Sequence, residues 1–99
     1  MDKIIVRYKV KPEKVDDNIR LVKAVYAELK EKSPAGLRYA AFVAEDGVTF
    51  FHVAFVEADE NPIAQIEAFK TFQKDITDRC DEPPAPTKLS EIGSYNFFG

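Results

Sequence analysis

The stretch TFFHVAF, residues 49–55, is apolar on both sides, and this constrains the fold more than any other feature of the chain. A strand points successive side chains to opposite faces of its sheet, so a strand with one face in water alternates apolar and polar residues. Here His52 lies on one face, and the other face carries Phe51, Val53 and Phe55. A chain of 99 residues must therefore cover two faces of this strand.

The preceding segment pairs with this strand as a hairpin. Asp46-Gly47 is a strong hairpin signal, because a two-residue type I′ turn needs positive φ at both central positions. With that turn, His52 lies opposite Ala41. A three-residue turn with a bulge would change which residues share a face, so the register depends on the turn.

The first half of the chain predicts a strand and then a helix. Residues 4–10 alternate apolar and polar side chains with the period of a strand. From about residue 13 to residue 32, apolar residues recur at three- and four-residue spacing, which is typical of an amphipathic helix. Pro34 ends this helix and Gly36 gives the following turn its freedom.

The second half predicts another helix and a last strand. Asn61 is a good N-cap and Pro62 a good first helical residue, and the helix should run to Arg79 or Cys80. The proline-rich residues 81–87 predict a loop. Residues 88–98 then read as the fourth strand.

The order strand, helix, strand, strand, helix, strand predicts an α+β fold of one domain over residues 1–99. It is the ferredoxin-like βαββαβ arrangement, a four-stranded antiparallel sheet with two helices on one face and with strands one and three central. Two helices cover only one face of this sheet. The other face of the hairpin remains uncovered, and it carries Phe42, Phe51, Val53 and Phe55.

A second copy of the chain, packed sheet to sheet, would cover that remaining face. An exposed apolar patch of this size is unusual for a monomer, and a two-fold homodimer is the commonest way to bury one. We therefore predict a homodimer with Phe42, Phe51, Val53 and Phe55 at the interface. The alternative is that the C-terminal segment folds back over this face.

Composition disfavours several partners. The net charge is −3, and from residue 50 onward nine acidic residues outnumber four basic ones, Lys70, Lys74, Arg79 and Lys88. A nucleic-acid-binding protein would show the opposite bias. The chain has no run of about 18 apolar residues that would span a membrane, and its opening MDKIIVRYKV does not resemble a signal peptide, which predicts a cytoplasmic protein.

One cysteine and one histidine limit the chemistry further. Cys80 has no partner for an intramolecular disulfide, and the chain lacks the ligands of a zinc site, so we expect no metal site. His52 is the candidate catalytic residue, because a neutral imidazole beside an aromatic pocket accepts a phenol proton near neutral pH. The alternative is a core histidine bonded to backbone or to Tyr39.

Five further residues are candidates for binding a ligand near His52. Tyr8 and Asn96 could orient a ligand hydroxyl, and Arg7 could hold a carboxylate or stabilise an enolate. Arg7 and Tyr8 point to opposite faces of the first strand. Tyr39 and Phe50 lie close to His52 if the hairpin register holds.

The pattern resembles the dimeric α+β barrel proteins, and among them the antibiotic biosynthesis monooxygenase domain. The resemblance covers nearly the whole chain, from IIVRYKVKPEKVDD through EDGVTFFHVAFVEADENP to LSEIGSYNFF. It implies a small homodimer in which two sheets face each other and the helices lie outside. It also implies oxidation without metal or flavin of a small aromatic or polyketide-like compound, held between sheet and helices.

Two functions therefore stay open. The first is a cofactor-independent monooxygenase, which requires an enclosed pocket at His52. The second is a non-catalytic dimeric barrel that binds a small ligand or serves in a stress response, with His52 packed into the core.

Overall fold

The computed structural model describes residues 1–97 and confirms the predicted α+β fold. One four-stranded antiparallel sheet has the order β2-β3-β1-β4, with the helices on one of its faces. The strands are β1 (Asp2–Val10), β2 (Leu37–Val43), β3 (Thr49–Val56) and β4 (Cys80–Lys88). The helices are α1 (Val15–Lys32), α2 (Glu67–Gln73) and the single turn α3 (Ile76–Arg79).

The hairpin has the predicted register but a different turn. His52 lies opposite Ala41, as expected. The strands close at Ala44 and Thr49, so the loop has four residues between them, and only Gly47 has positive φ, at 76°. The prediction of a two-residue type I′ turn was therefore wrong. Asp46 instead turns its carboxylate back to accept hydrogen bonds from the backbone of Val48 and Thr49, which stabilises the longer loop.

The second helix is interrupted, whereas the sequence predicted a continuous one. Asn61 caps its start as expected, because its side-chain oxygen accepts from the backbone of Ile63 at 3.1 Å. A 3₁₀ turn over Pro62–Gln65 then ends at Ile66, which is extended, and Asp75 adopts a left-handed φ of 62° between α2 and α3. Because of these breaks, the buried side chains of this region do not lie along one straight helical stripe.

The fourth strand is the largest correction. The prediction placed a loop at 81–87 and a strand at 88–98, but the strand is Cys80–Lys88 and no strand forms in residues 89–97. Phe98 lies outside the described residues. Proline lacks a backbone N–H and is tolerated at a sheet edge, where one side of the strand needs no partner. β4 is such an edge strand, and Pro83 and Pro84 lie where its register shifts against β1, whereas Pro86 pairs with Val6 in regular register.

The core lies between the sheet and the helices, and the opposite face, here called the outer face, is partly open. Phe42 is 58% exposed there. Phe55 is only 9% exposed, because the C-terminal segment returns and places Phe97 against it, with ring centroids 5.9 Å apart. Phe55 is therefore already covered within its own chain, contrary to the expectation that it was left for a partner. Within residues 1–97, no helix has the length and apolar character to cross a membrane.

Candidate functional site

A cavity of about 210 Å³ lies between the sheet and the interrupted second helix. Its walls are largely apolar, with Val6 and Ala54 from the sheet and Ile63, Phe69 and Phe72 from the helical side. The polar wall on the sheet side consists of Tyr8, Tyr39 and His52 on three adjacent strands, and Asn61 and Gln73 add polar groups on the helical side. A pocket of this kind suits a small aromatic molecule that carries one or two polar groups.

His52 reaches this wall because β3 is a central strand. It lies between Val6 of β1 and Ala41 of β2, and its side chain is 6% exposed. Both ring nitrogens have partners: Nε2 lies 2.8 Å from the Tyr8 hydroxyl and Nδ1 lies 2.6 Å from the Tyr39 hydroxyl. The histidine is thus a bridge between two tyrosines on its flanking strands.

Burial keeps this bridge uncharged. Removal from water lowers the pKa of His52 from 6.5 to about 4, because the imidazolium is poorly solvated in the core. The same effect raises the pKa of the Tyr8 and Tyr39 hydroxyls far above their ordinary value. All three side chains are therefore neutral at pH 7, and each hydrogen bond joins uncharged groups.

Two residues that the sequence analysis missed extend the bridge. Asn18 is fully buried on α1 and donates from Nδ2 to the Tyr8 hydroxyl at 3.0 Å. Arg79, 7% exposed, donates from Nε to Asn18 Oδ1 at 3.4 Å. The other guanidinium nitrogens of Arg79 bond the carbonyls of Phe72 and Lys74 at the end of α2.

The sequence held a signal for Asn18 but a weaker one for Arg79. Asn18 lies three residues after Val15 and four before Val22, so it interrupts the apolar stripe of α1. A polar residue on such a stripe requires a buried partner. Arg79 looked like an ordinary cation at a helix end, and nothing local indicates that it reaches Asn18.

The structure brings together only some of the predicted site residues. His52, Tyr8 and Tyr39 line the cavity. The Phe50 ring stacks against the Tyr8 ring, with centroids 5.4 Å apart, and Phe50 is not part of the cavity wall. Arg7 lies on the outer face, paired with Glu82 at 3.1 Å. Asn96 lies in the exposed C-terminal segment, away from the cavity wall.

The cavity offers hydrogen bonding beside largely apolar walls. A ligand oxygen at the polar wall would meet the chain of Tyr8, His52 and Tyr39 rather than a charged group. Across residues 1–97, no three His, Cys, Asp or Glu side chains are grouped so as to hold a metal ion.

Comparison with known proteins gives a clear result for the fold. No family model matches the chain, and no curated protein matches it. Solved structures do match. A protein described as an antibiotic biosynthesis monooxygenase superposes with a TM-score of 0.70 at 20% identity, covering 94% of this chain and 100% of the other.

Two further structures agree with the first. A Nitrosomonas europaea protein to which the same name has been assigned gives a TM-score of 0.74 at 17% identity, covering 94% of this chain and 100% of its own. A protein from Pseudomonas aeruginosa gives 0.74 at 16% identity, covering 93% and 94%. The chain therefore has the fold of the antibiotic biosynthesis monooxygenase proteins, as the sequence resemblance predicted.

Proposed function

We propose that the protein oxidises a small aromatic compound with molecular oxygen and without a cofactor, in the cavity at His52. The observation that carries the proposal is the largely apolar cavity of about 210 Å³ with the polar wall of Tyr8, His52 and Tyr39 on its sheet side. The names given to structures of the same fold support the choice of oxidation over other reactions.

The reaction class requires little from the protein. Conversion of an activated ring CH₂ to C=O consumes one O₂ and releases one water, and the electrons come from the two C–H bonds that break. The CH₂ must first lose a proton to a base from solvent, because none of the side chains lining the cavity is a free base, and the resulting electron-rich anion then reacts with oxygen. The polar wall would hold the oxygen of that anion, and the apolar walls would keep water from reprotonating it.

A second function, binding without turnover, is favoured by the state of His52. Both of its nitrogens already have tyrosine partners, and its pKa of about 4 makes the neutral ring a weak base. A site built only to hold a ligand would have no need of a free base.

We further propose that the protein is a homodimer joined through its outer faces and located in the cytoplasm. The exposure of Phe42 and of Ile92 and Tyr95 in the C-terminal segment supports the dimer. Cell fractionation tests the location.

Oxygen consumption with anthrone tests the oxidation. We expect turnover above the buffer rate for the wild type and a loss of about a hundredfold in kcat for His52→Ala, because this change breaks the hydrogen-bond chain that holds the oxygen of the anion. Ala54→Leu narrows the cavity without removing any hydrogen-bonding group and should lower anthrone affinity at least about tenfold. Its matched control is Ala27→Leu on the exposed side of α1, which should change nothing.

The outcomes separate the two functions. Binding of anthrone that Ala54→Leu abolishes, without any oxygen consumption, would favour the binding protein. No binding in the wild type would overturn both functions for this cavity.

A further inference from the structure

The hydrogen-bond chain at the cavity has a direction, and Arg79 sets it. A guanidinium only donates hydrogen bonds, so the Asn18 atom facing Arg79 must be the amide oxygen. The Asn18 NH₂ group then faces Tyr8 and donates to its hydroxyl oxygen at 3.0 Å. The orientation of one amide is thus fixed by a group that is always charged.

The direction passes from Asn18 through Tyr8 to His52. Tyr8 has one hydroxyl proton, and within residues 1–97 its hydroxyl contacts only Asn18 and His52. Asn18 donates, so the Tyr8 proton has His52 Nε2 as its acceptor. A neutral imidazole carries one N–H, which must then be on Nδ1 and donate to the Tyr39 oxygen at 2.6 Å.

The opposite direction would leave a proton without an acceptor in the core. If His52 Nε2 carried the proton, Tyr8 would receive two hydrogen bonds and have nowhere to donate its own, at a side chain only 1% exposed. Both tyrosines line the cavity, but Tyr8 is almost fully enclosed whereas Tyr39 is half-buried. In the first direction, the proton left over belongs to Tyr39, and a free donor is less costly at the more exposed side chain.

We propose that Arg79, Asn18, Tyr8 and His52 are positioning residues that present the Tyr39 hydroxyl to the cavity as a hydrogen-bond donor. The ligand class is then an aromatic compound with an acceptor oxygen, such as an aryl ketone or a phenolate, rather than a phenol that gives up its proton to His52. The inference rests on the proposed function only in taking this cavity as the ligand site. It also assigns the site an electrophilic role, since a donor at a ketone oxygen acidifies the adjacent CH₂.

The tautomer of His52 tests the direction without any ligand. His52 is the only histidine in the chain, so its ¹⁵N NMR signals are unambiguous. We expect the Nδ1–H tautomer in the wild-type protein at pH 7. The Nε2–H tautomer there would overturn the proposal.

Asn18→Asp is designed to reverse the chain. A carboxylate accepts but does not donate, so Asp at this position would take hydrogen bonds from both Arg79 and Tyr8. Tyr8 would then receive the His52 Nε2 proton, and Tyr39 would donate to Nδ1. We expect the tautomer to switch to Nε2–H, whereas an unchanged tautomer in the folded variant would overturn the proposal. If this variant does not fold, the wild-type tautomer and the Tyr39→Phe binding test below still decide.

Affinity for matched probes tests the ligand class. We compare 1-indanone, which has an acceptor oxygen, with indane, which has none. Tyr39→Phe should weaken 1-indanone binding about tenfold, the worth of one hydrogen bond, and leave indane within about twofold. An equal effect on both probes would overturn the donor role of Tyr39. Absence of oxygen-dependent turnover would overturn the oxidation proposed above and leave both of these measurements unaffected.

Discussion

His52 makes the stability of the protein depend on pH. Its pKa is about 4 in the folded chain, against 6.5 for an exposed histidine, so the unfolded state binds a proton more tightly. The stability contributed by the neutral buried ring is complete above pH 6.5 and is lost as pH falls toward 4. Between pH 7 and 4.5 this loss should reach about 2 kcal/mol.

Urea unfolding of the wild type and of His52→Gln, compared across this pH range, measures that loss. The carboxylates of the two proteins titrate alike, so the difference between their unfolding free energies isolates His52. We expect the advantage of the wild type to shrink as pH falls. Parallel pH profiles would show that His52 is protonated as easily in the fold as outside it.

Two stacked tyrosines should respond oppositely to loss of the hydroxyl. Tyr26 and Tyr39 have ring centroids 5.3 Å apart. The buried hydroxyl of Tyr26 has no partner among the described residues, whereas that of Tyr39 bonds His52. We expect Tyr26→Phe to raise the free energy of unfolding by about 1 kcal/mol and Tyr39→Phe to lower it by about 1–2 kcal/mol. Urea unfolding at pH 7 measures both, and destabilisation by Tyr26→Phe would mean that its hydroxyl is bonded.

At the scale of residues, sequence patterns predicted part of the site. The register of one hairpin was enough to place His52 beside Tyr39, and their hydrogen bond was one of the two predicted alternatives. Asn18 and Arg79 are 61 positions apart and meet only when α1 and α3 pack together. No local pattern reports such a contact, because it depends on where two elements dock.

At the scale of elements, Glu28 of α1 acts as the N-terminal cap of α2, which has no capping side chain at its own N-cap position. Its carboxylate accepts from the backbone N–H groups of Glu67 and Ala68, at 3.0 and 2.8 Å. The residue before α2, Ile66, has no side chain able to do so. Hydrogen bonds from Lys32 and from these backbone groups lower the pKa of Glu28 to about 2.

Glu28→Ala should therefore loosen the second helix. We expect the Tm to fall by about 5 °C, the usual effect of losing a helix cap in a domain of this size. Glu31→Ala is the matched control, because Glu31 is exposed on the same helix. Thermal unfolding measures both, and equal Tm values for the two variants would show that Glu28 does not act as a cap.

The errors at this scale have one cause. Local propensity predicted a continuous second helix and a loop at the prolines, because helix patterns and proline runs are read without their neighbours. Pairing in the sheet overrides this local preference. One edge of β1 is free to pair with a further strand, and Cys80–Lys88 pairs with it despite its prolines. The elements β1, α1, β2 and β3 were predicted correctly, because their periodic patterns do not depend on a distant partner.

At the scale of the molecule, the sheet has one face under helices and one face only partly covered. The alternation of elements predicted the topology, because few arrangements connect six such elements without crossing. The return of the C-terminal segment over Phe55 was foreseen only as an alternative. It leaves Phe42 on the outer face 58% exposed.

Phe42→Glu should separate the proposed dimer. Burying an exposed phenylalanine contributes about 1.5–3 kcal/mol, and a two-fold interface contains it twice, so the dissociation constant should rise by about a hundredfold or more. Native mass spectrometry at micromolar concentration measures the mass of each species. Ala27→Glu adds the same charge to the exposed side of α1 and should leave the dimer intact. A wild-type protein of monomer mass would instead mean that the outer face needs no second copy and that the C-terminal segment alone covers as much of it as the fold requires.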